Sequence, residues 1–522
     1  MAGGGKGRKS GAGRAAGKPS RAPAGRKRTE RMDAGPSVED VSEKLLRHAL
    51  AQKGVDEAEA YVSRNVMTLA RIETLRFGKR QIGPNGQQLA TLTNMEACVR
   101  VVVKGAVGTA ATVYLDPESL RSTAVDARKV AGMMGPDPNF RSLAKHSKAG
   151  YVKLPADNTI LAGNVEDALL KQVEAASSCF PVGLDLAGTI MAVSEVFSVR
   201  NSCGMNVERG EDTLCVAQLT GEKVDGGEVL SSGMGWSASR WLRKLDAQAA
   251  ARKALELATL TPKLKSAPEG DYDVILGPYS VADIIDNLVA PQIGMSAIYS
   301  GTSWLPAERK DNEKGTTLRY PKLGEQLADE RITIREEPHM RDGMGSKTSD
   351  DEGVPTQPRN LLENGVWKGV LSNSYYAHLY GFEPTGNAFR YGARPGRIAS
   401  APIGIAPTNL VMTPGDMTLE EIVKECRGKA LYVPRTWYTY PTRYGASGFS
   451  SSNRSTAFLI ENGEMTPLAP NAFKLRGDVS RVLKEVKCIG KETVSATTWS
   501  ASFCSIVPHV LTSGIRVEKP AE

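Results

Sequence analysis

The sequence predicts an α+β protein, and three observations lead to that class. Several segments carry apolar residues at helical spacing, whereas others alternate between apolar and polar residues as strands do. The 52 glycines among 522 residues indicate many turns, which favours a fold rich in short strands. A chain of this length exceeds one ordinary hydrophobic core, so we expect more than one domain.

Residues 1–36 are predicted to form a disordered basic arm. They hold ten basic and two acidic side chains, which accounts for the whole formal net charge of +8. The segment has too few large apolar residues to offset the entropy lost on ordering it. A solubilising tail and a weak contact with nucleic acid or an acidic partner both remain open. The remaining chain carries no net charge, which gives little support for a nucleic-acid-binding fold.

Residues 37–262 are predicted to form an N-terminal α+β domain, with a break between two subdomains near 140–160. A helix from the N-cap Ser37 to about Gln52 is expected to precede a long strand over 58–77. The following segments predict a hairpin around Gly105, helices over 117–133, 165–176 and 238–258, and strands over 189–200, 204–209 and 213–220.

Residues 270–522 are predicted to form a second domain, after a polar stretch that contains two prolines. A buried strand over 272–278 leads into a helix that Ser280 caps and that Pro291 should stop or kink. From Ile332 onward, short strands and glycine turns predict a largely antiparallel β structure. Two late helices are expected over 418–426 and 479–486.

Motifs for independent catalysis are scarce in this sequence. The five histidines lie too far apart for a helical zinc pair, and they are His48, His146, His339, His378 and His509. The seven cysteines include no CxxC pair, so we expect reduced thiols. Cys504 and His509 are rejected as a dyad, because an odd offset of five on one strand sends side chains to opposite faces.

The most unusual local feature is a run of three carboxylates, Asp350, Asp351 and Glu352, followed by Gly353. Adjacent carboxylates can hold a hard cation or orient a peptide amine. They can equally form a solvated turn that leads into a strand. His378 lies in a run rich in tyrosine, where a packed aromatic cluster explains it as well as a functional role does.

The acidic run also belongs to a segment that resembles a known family. Residues 351–357 (DEGVPTQ), followed by 361–366 (LLENGV), resemble the central signature of TldD/PmbA proteins, a peptidase-like family also called modulators of DNA gyrase. Further segments match in the same order along the chain, among them VGTA at 107–110, LGEQ at 323–326, TGNA at 385–388 and LIENGE at 459–464. The resemblance covers roughly residues 40–520. It implies an N-terminal α/β sandwich-type domain and an antiparallel β domain after it.

The family contains two kinds of chain, and the resemblance places this one with the kind that lacks zinc ligands. TldD-like members carry an HExxxH motif on the first helix of the C-terminal domain, with a late cysteine as third ligand. By position the motif falls near 290–295, where Ala290 and Met295 stand at the ligand positions. Cys504 lies near the late cysteine without the expected surroundings, so it is given no ligand role. The resemblance implies no catalytic residue and no zinc in this chain.

The function implied is that of a TldE/PmbA-like subunit of a cytosolic heterodimeric metalloprotease. A TldD-like catalytic partner would supply zinc and hydrolyse small or unfolded peptides. The candidates for contact with substrate or partner are Asp350, Asp351, Glu352, Gly353, Asn387 and His378. An independent hydrolase with its own centre, and a nucleic-acid-associated regulator acting through the arm, are the alternatives. No run of 18 apolar residues occurs, so no membrane span is expected and the cytoplasm is the predicted location.

Overall fold

The structure is a computed structural model that describes residues 35–77, 80–311, 315–391, 396–426, 428–498 and 503–519. The side chains of residues 75–87 lie outside this description, and so do residues 1–34 of the predicted basic arm. Within the described ranges no helix is long and apolar enough to span a membrane.

A long antiparallel sheet occupies the first half of the described chain. Its strands are β1 (Glu57–Phe77), β2 (Arg80–Val103), β3 (Ala106–Thr112), β4 (Leu184–Asn201), β5 (Asn206–Asp225) and β6 (Glu228–Ser239). They are arranged in the order β3-β2-β1-β4-β5-β6. The predicted hairpin is confirmed, since Lys104 and Gly105 have positive φ of 52° and 79°, as a two-residue type I′ turn requires.

Helices cover one face of this sheet. They are α1 (Val38–Leu50), α2 (Pro117–Met134), α3 (Asn158–Leu161), α4 (Glu166–Ser177) and α5 (Ala247–Ala258). Ser37 caps α1 as predicted, with its Oγ accepting the Asp40 amide at 3.0 Å. On β1, Ala60 packs in one core with α1 and α2, and Ile72 packs in another with α4 and α5. Because both residues have even numbers, they point to the same face of the strand.

The odd-numbered side chains of β1 point to the opposite face, which contacts the second half of the chain. Tyr61 donates its hydroxyl hydrogen bond to Asp351 at 3.0 Å, and Ser63 donates to the carbonyl of Arg397 at 3.0 Å. Glu59 lies on the same face and is buried. The first part of the strand, up to Asn65, is therefore buried on both faces, one apolar and one polar.

The second half of the chain consists of shorter strands and helices. Its strands are β7 (Gly270–Leu276), β8 (Ala307–Asp311), β9 (Thr317–Pro321), β10 (Ile334–Glu336), β11 (Arg359–Glu363), β12 (Val366–Trp367), β13 (Ala388–Phe389), β14 (Gly404–Ile405), β15 (Asn409–Met412), β16 (Lys429–Val433), β17 (Thr436–Pro441), β18 (Gly448–Asn453), β19 (Ala457–Glu461), β20 (Glu464–Leu468), β21 (Lys474–Asp478), β22 (Val486–Ile489), β23 (Val494–Ala496), β24 (Cys504–Val507) and β25 (Val510–Glu518). Its helices are α6 (Pro278–Ile284), α7 (Ala290–Ile293), α8 (Met295–Ser300), α9 (Ser374–Tyr380), α10 (Leu419–Glu425) and α11 (Val479–Lys484).

Two larger sheets organise these strands. One runs β17-β18-β21-β25-β7-β16-β19-β20, with β22 also paired to β25, and the other runs β12-β11-β10-β15-β24-β23. Among the strand pairs of the described residues, β7 with β16 and β15 with β24 are parallel and the others are antiparallel. The predicted α+β class, with a largely antiparallel second half, is therefore confirmed. The division into domains at 262–270 stays a prediction.

The structure corrects two element boundaries. The helix predicted over 238–258 begins only at Ala247, where the Asp246 carboxylate accepts the Ala249 amide at 2.8 Å. Trp241 lies before the helix and is buried by tertiary contacts, so its apparent helical spacing was misleading. The strands predicted over 204–209 and 213–220 form one continuous strand, β5.

Candidate functional site

The first helix after β7 is the position at which the family resemblance placed a zinc motif. It begins at Pro278 after the N-cap Gly277, so Ser280 lies inside the helix rather than at its cap. A π-helical turn over Ile285–Val289 follows α6, and the short helix α7 contains Pro291 near its start. The proline therefore follows an irregular turn instead of ending a regular helix. Such π-turns occur frequently at functional sites.

Asp283 lies on this helix and is fully buried. Its Oδ2 accepts hydrogen bonds from the hydroxyls of Thr436, at 2.8 Å, and of Thr439. Its Oδ1 accepts a hydrogen bond from Asn287 Nδ2 at 3.0 Å. Burial raises the pKa of the Asp283 carboxyl above its ordinary value, against the lowering effect of these donors. Both carboxylate oxygens are therefore satisfied by protein groups.

Asp286 lies three residues after Asp283, in the π-helical turn that follows α6. Its Oδ1 accepts the Ser505 hydroxyl at 2.5 Å and its Oδ2 accepts the Thr498 hydroxyl at 2.7 Å. Burial and, to a smaller extent, the nearby charge of Asp283 raise the pKa of this carboxyl to about 7, against the lowering effect of the two hydroxyl donors. These contacts tie the helix to β24 and to the segment after β23.

Cys504 is the neighbour of Ser505 on β24 and lies close to the same helix. Its side chain is fully buried, and burial together with the charge of Asp286 raises the pKa of the thiol to about 12. The thiol is therefore protonated at neutral pH, whereas metal binding requires the thiolate. His509 lies between β24 and β25, so the two residues do not share a strand. The rejected dyad stays rejected, but for a different geometric reason.

The residues around this helix do not fit a zinc ion. Zinc sites combine thiolate, imidazole and carboxylate ligands in a tetrahedral arrangement. Asp283 and Asp286 already accept hydrogen bonds from protein groups on both oxygens, and Cys504 carries its proton. Over the described residues, no group of three or more His, Cys, Asp or Glu side chains could hold a metal ion.

Ala290 and Met295, the predicted degenerate ligand positions, lie in the hydrophobic core. They are 4% and 0% exposed. Ala290 belongs to α7 and Met295 to α8, and the extended Gly294 separates the two helices with ψ of 133°. They therefore do not share one continuous helix face. Sequence reasoning missed Asp283 and Asp286, although two carboxylates three residues apart in an otherwise apolar helix were a visible signal.

The acidic run is buried, which contradicts its interpretation as a solvated turn. Asp350, Asp351 and Glu352 are all 0% exposed. Asp350 accepts three backbone amides, from Glu352 at 3.0 Å, Val354 at 2.9 Å and Ala388 at 3.0 Å. Burial, together with the charge of Glu352, raises the pKa of Asp350 well above its ordinary range. The Asp350 carboxyl therefore stabilises the conformation of its own loop.

The next two carboxylates bind arginines and so connect the loop to the first sheet. Asp351 accepts hydrogen bonds from the Arg397 guanidinium, from Tyr61 and from the Arg390 amide, the last at 2.6 Å. Glu352 accepts from Arg100 on β2 at 2.9 Å and from the backbone amide of Ser374 at 2.8 Å. These two carboxylates form a junction between the halves of the chain.

A larger network of buried charges surrounds this junction. Arg397 also pairs with Asp212 at 3.0 Å and with Glu195 at 3.5 Å, and Lys347 pairs with Glu195 at 2.6 Å. All of these side chains are at most 4% exposed. Reasoning from the sequence could not find the network, because its members lie far apart along the chain.

The remaining candidates lie beside the acidic run but are held by protein contacts. Gly353 has φ of 82°, and its carbonyl accepts the Tyr151 hydroxyl at 2.8 Å. Asn387 Nδ2 donates to Glu336 Oε1 at 3.1 Å. His378 lies on α9 with its Nδ1 3.2 Å from the carbonyl oxygen of Ser142. Gly353 and Asn387 therefore flank the acidic run and the Ala388 amide that it binds, whereas His378 contacts Ser142, and the contacts of all three are internal.

Comparison with known proteins identifies the second half of the chain. Residues 269–519 match the family model described as the PmbA/TldA metallopeptidase C-terminal domain. A metalloprotease of Methanothermobacter thermautotrophicus is 26% identical over 405 residues, which cover 76% of this chain and 81% of that protein. A protein of Buchnera aphidicola named metalloprotease TldD homolog is 26% identical over 245 residues, which cover 46% of this chain and 45% of that protein.

A solved structure matches over nearly the whole chain. The crystal structure of TldE from Thermococcus kodakarensis superposes with a TM-score of 0.75, covering 91% of this chain and 99% of that chain, at 23% identity. This likeness establishes the fold. The second half is thus a domain of the metallopeptidase class. Residues 269–519 therefore belong to the PmbA/TldD family of metallopeptidase domains, and the chain has homologues among metalloproteases of the TldD/PmbA kind, as its motifs predicted.

Proposed function

We propose that this chain is a TldE/PmbA-like subunit, without zinc of its own, of a cytosolic metalloprotease that acts on small or unfolded peptides. The observation that carries the proposal is the helix after β7. There, every carboxylate oxygen of two buried aspartates accepts a hydrogen bond from the protein, three of them from hydroxyls and one from the side-chain amide of Asn287. A helix stabilised in this way would have a structural role in this chain. A TldD-like partner would bind the zinc and hydrolyse the peptide.

The burial of the acidic run supports this proposal over an independent hydrolase. Carboxylates that catalyse must reach substrate or water, but Asp350, Asp351 and Glu352 are 0% exposed and bind arginines and backbone amides. Their role as contacts for substrate or partner stays a prediction. The nucleic-acid alternative depends on residues 1–36, of which 1–34 lie outside the described residues. Deleting this arm tests that alternative: retention of DNA binding by the truncated chain would contradict it.

An exposed aromatic surface lies next to the helix and supports contact with a peptide or a partner. On the edge strand β17, Thr436 and Thr439 bind Asp283 on the buried side. Tyr438 and Tyr440 are 59% and 44% exposed. Tyr438 has φ of 54°, a left-handed conformation that is unfavourable for an aromatic residue and that often marks functional sites. Exposed tyrosines are also enriched at protein interfaces.

In this mechanism the chain contributes positioning and exclusion. The bound zinc of the partner would activate water, and the residues of this chain would orient the peptide and shield it from solvent. The fully bonded Asp283 and Asp286 would stabilise the wall beside β17 and would transfer no proton.

The first test is the zinc content and peptidase activity of the purified chain, alone and co-expressed with a TldD-like subunit. We expect no zinc and no activity alone, and stoichiometric zinc with chelator-sensitive activity in the complex. The matched control is Asp286→Asn, which keeps the side-chain volume at the helix. Its complex should retain zinc, because the ligands belong to the partner. Tight zinc in the isolated chain, or peptide hydrolysis by that chain in the presence of chelator, would overturn the proposal.

A further inference from the structure

A cavity of about 490 Å³ lies between the two halves of the chain, apart from the aspartates of the helix after β7. Its walls are mainly apolar, formed by Trp236 on β6, Leu257 on α5, Phe458 on β19, Met417 and Val494. Its volume and apolar lining are typical of pockets that bind small ligands. Such pockets usually contain a few polar groups that fix the orientation of the ligand.

Arg435 reaches this cavity and a second one of about 340 Å³. The residue is only 8% exposed. Its Nε is buried without a hydrogen-bond partner. Within the described part of the chain no carboxylate lies at ion-pair distance from its guanidinium, and the charges of Asp283 and Glu222 act on it only from further away. Four buried cations near Asp351 and the partly buried Arg100 each form an ion pair with a carboxylate, so Arg435 differs from them; the four are Arg240, Lys347, Arg390 and Arg397.

Aromatic rings hold the guanidinium of Arg435 in place. It lies 4.8 Å from the ring centre of Trp437 and 5.7 Å from that of Tyr279. Arg454 lies 5.4 Å from the same Trp437 ring, but it is more exposed and pairs with Glu222 at 3.5 Å. The rings therefore orient the guanidinium of Arg435 without neutralising its charge.

A buried charge without a partner carries a desolvation cost that proteins rarely retain without a functional reason. Burial lowers the pKa of Arg435 to about 10, so the guanidinium is still charged at neutral pH. A ligand that brings a negative group into the cavity would recover this cost through a charge-assisted, bidentate hydrogen bond.

A second polar residue lies at the wall of the same cavity. Ser455 lines the larger cavity, and its Oγ is buried without a hydrogen-bond partner. A serine hydroxyl can donate to an anionic oxygen while the guanidinium binds another. Two unsatisfied donors at one cavity indicate an acceptor that is absent from the protein itself.

Most charges at the outer lining have the opposite sign, although Lys253 lies there as well. Glu420 and Glu492 line the cavity and are exposed to solvent, as is Glu256, which pairs with Lys253 at 2.7 Å. The cavity therefore has a buried cation and exposed carboxylates, with apolar walls between them. A short peptide has the matching pattern, with a carboxylate at one end and an ammonium group at the other.

We propose that this cavity binds the C-terminal carboxylate of a short peptide through Arg435 and Ser455, with the last side chains of the peptide against the apolar walls. The inference deepens the proposed function, on which it rests for the choice of peptide over other carboxylates. This chain would then recognise peptide substrates by their free C-terminus.

The test measures direct binding of peptides to the full-length chain, by calorimetry or by the fluorescence of its tryptophans. The probes are trileucine, trileucine amide and inorganic phosphate. We expect trileucine to bind about 10- to 100-fold more tightly than its amide, because a charge-assisted hydrogen bond contributes roughly 1.5–3 kcal/mol. Arg435→Met should lose this preference, and Ser455→Ala should weaken the binding of the free acid.

Two controls separate recognition from folding. Arg435→Met should unfold at a temperature no lower than that of the native chain, since it removes an unpaired buried charge. Arg454→Met changes the same residue type on the same ring, and it should keep the preference for acid over amide. Equal binding of acid and amide, a preference that survives Arg435→Met, or failure of both peptides to bind would overturn the proposal. Displacement of trileucine by phosphate at equal concentration would overturn it in favour of a phosphate site.

This experiment uses the isolated chain, so its outcome is independent of the zinc measurement. If peptides fail to bind here while the complex shows zinc and activity, the subunit proposal stands and the carboxylate site falls. If acid-selective binding occurs but no zinc-dependent complex forms, the carboxylate site stands and the subunit proposal falls.

Discussion

Truncating Asp351 tests whether the acidic run is a structural junction. Asp351→Ala removes the acceptor of three buried donors: the Arg397 guanidinium, the Tyr61 hydroxyl at 3.0 Å and the Arg390 amide at 2.6 Å. Each neutral donor left unsatisfied in the interior costs about 1–3 kcal/mol. Arg397 keeps Asp212 and Glu195, at 3.0 and 3.5 Å, which limits the electrostatic part of the loss.

The expected loss in unfolding free energy is therefore about 3–5 kcal/mol, the range for breaking a buried pair by removal of one partner. Urea titration of the variant and the native chain measures it. Glu211→Ala is the matched control, because Glu211 pairs with Arg209 at 2.6 Å but both side chains are at least 36% exposed. That change should cost less than about 1 kcal/mol. Equal losses in the two variants would refute the structural assignment of the acidic run.

Three further predictions concern groups elsewhere in the chain. The pKa of Asp286, about 7 in the folded chain, lies above the unfolded value of about 3.9, so its folded state holds an extra proton between those pH values. The unfolding free energy should fall as pH rises through this window, and urea titrations of Asp286→Asn should show a shallower fall; parallel profiles would contradict the assignment. Cys504 should resist alkylation by iodoacetamide in the native chain, whereas the half-buried Cys203 should react, and mass spectrometry before and after unfolding distinguishes them. Gly235→Ala should destabilise the chain by about 1–3 kcal/mol, because its Cβ would lie 1.9 Å from the Ala250 carbonyl oxygen; an unchanged melting temperature would show that α5 moves freely.

Local pattern predicted much of the first half of the fold. The cap at Ser37, the alternation along β1 and the turn at Gly105 each depend on neighbouring residues, and each is confirmed. The helix predicted from 238 was wrong at its start for a related reason. Trp241 is buried, and its Nε1 donates a hydrogen bond at 3.2 Å to the carbonyl of Arg341, which lies 100 residues away. No rule based on neighbouring residues includes that contact.

The candidate site was less predictable than the fold. Motifs correctly indicated the family, and they drew attention to the acidic run at 350–352. They also pointed to Ala290 and Met295, which the structure places in the core, and they passed over Asp286. Arg435 carried no signal at all, since an arginine followed by threonine and tryptophan reads as an ordinary strand residue.

The sequence by itself determined the family, the α+β class and the order of most helices and strands, because these depend on short-range periodicity and on contiguous motifs. Only the tertiary structure decided which charges are buried and which of them are paired. Asp351 meets Arg397 and Tyr61 across separations of 46 and 290 residues, while Arg435 meets aromatic rings and no carboxylate among the described residues. Burial and pairing set the free energy of a charge, and both are properties of the packed chain.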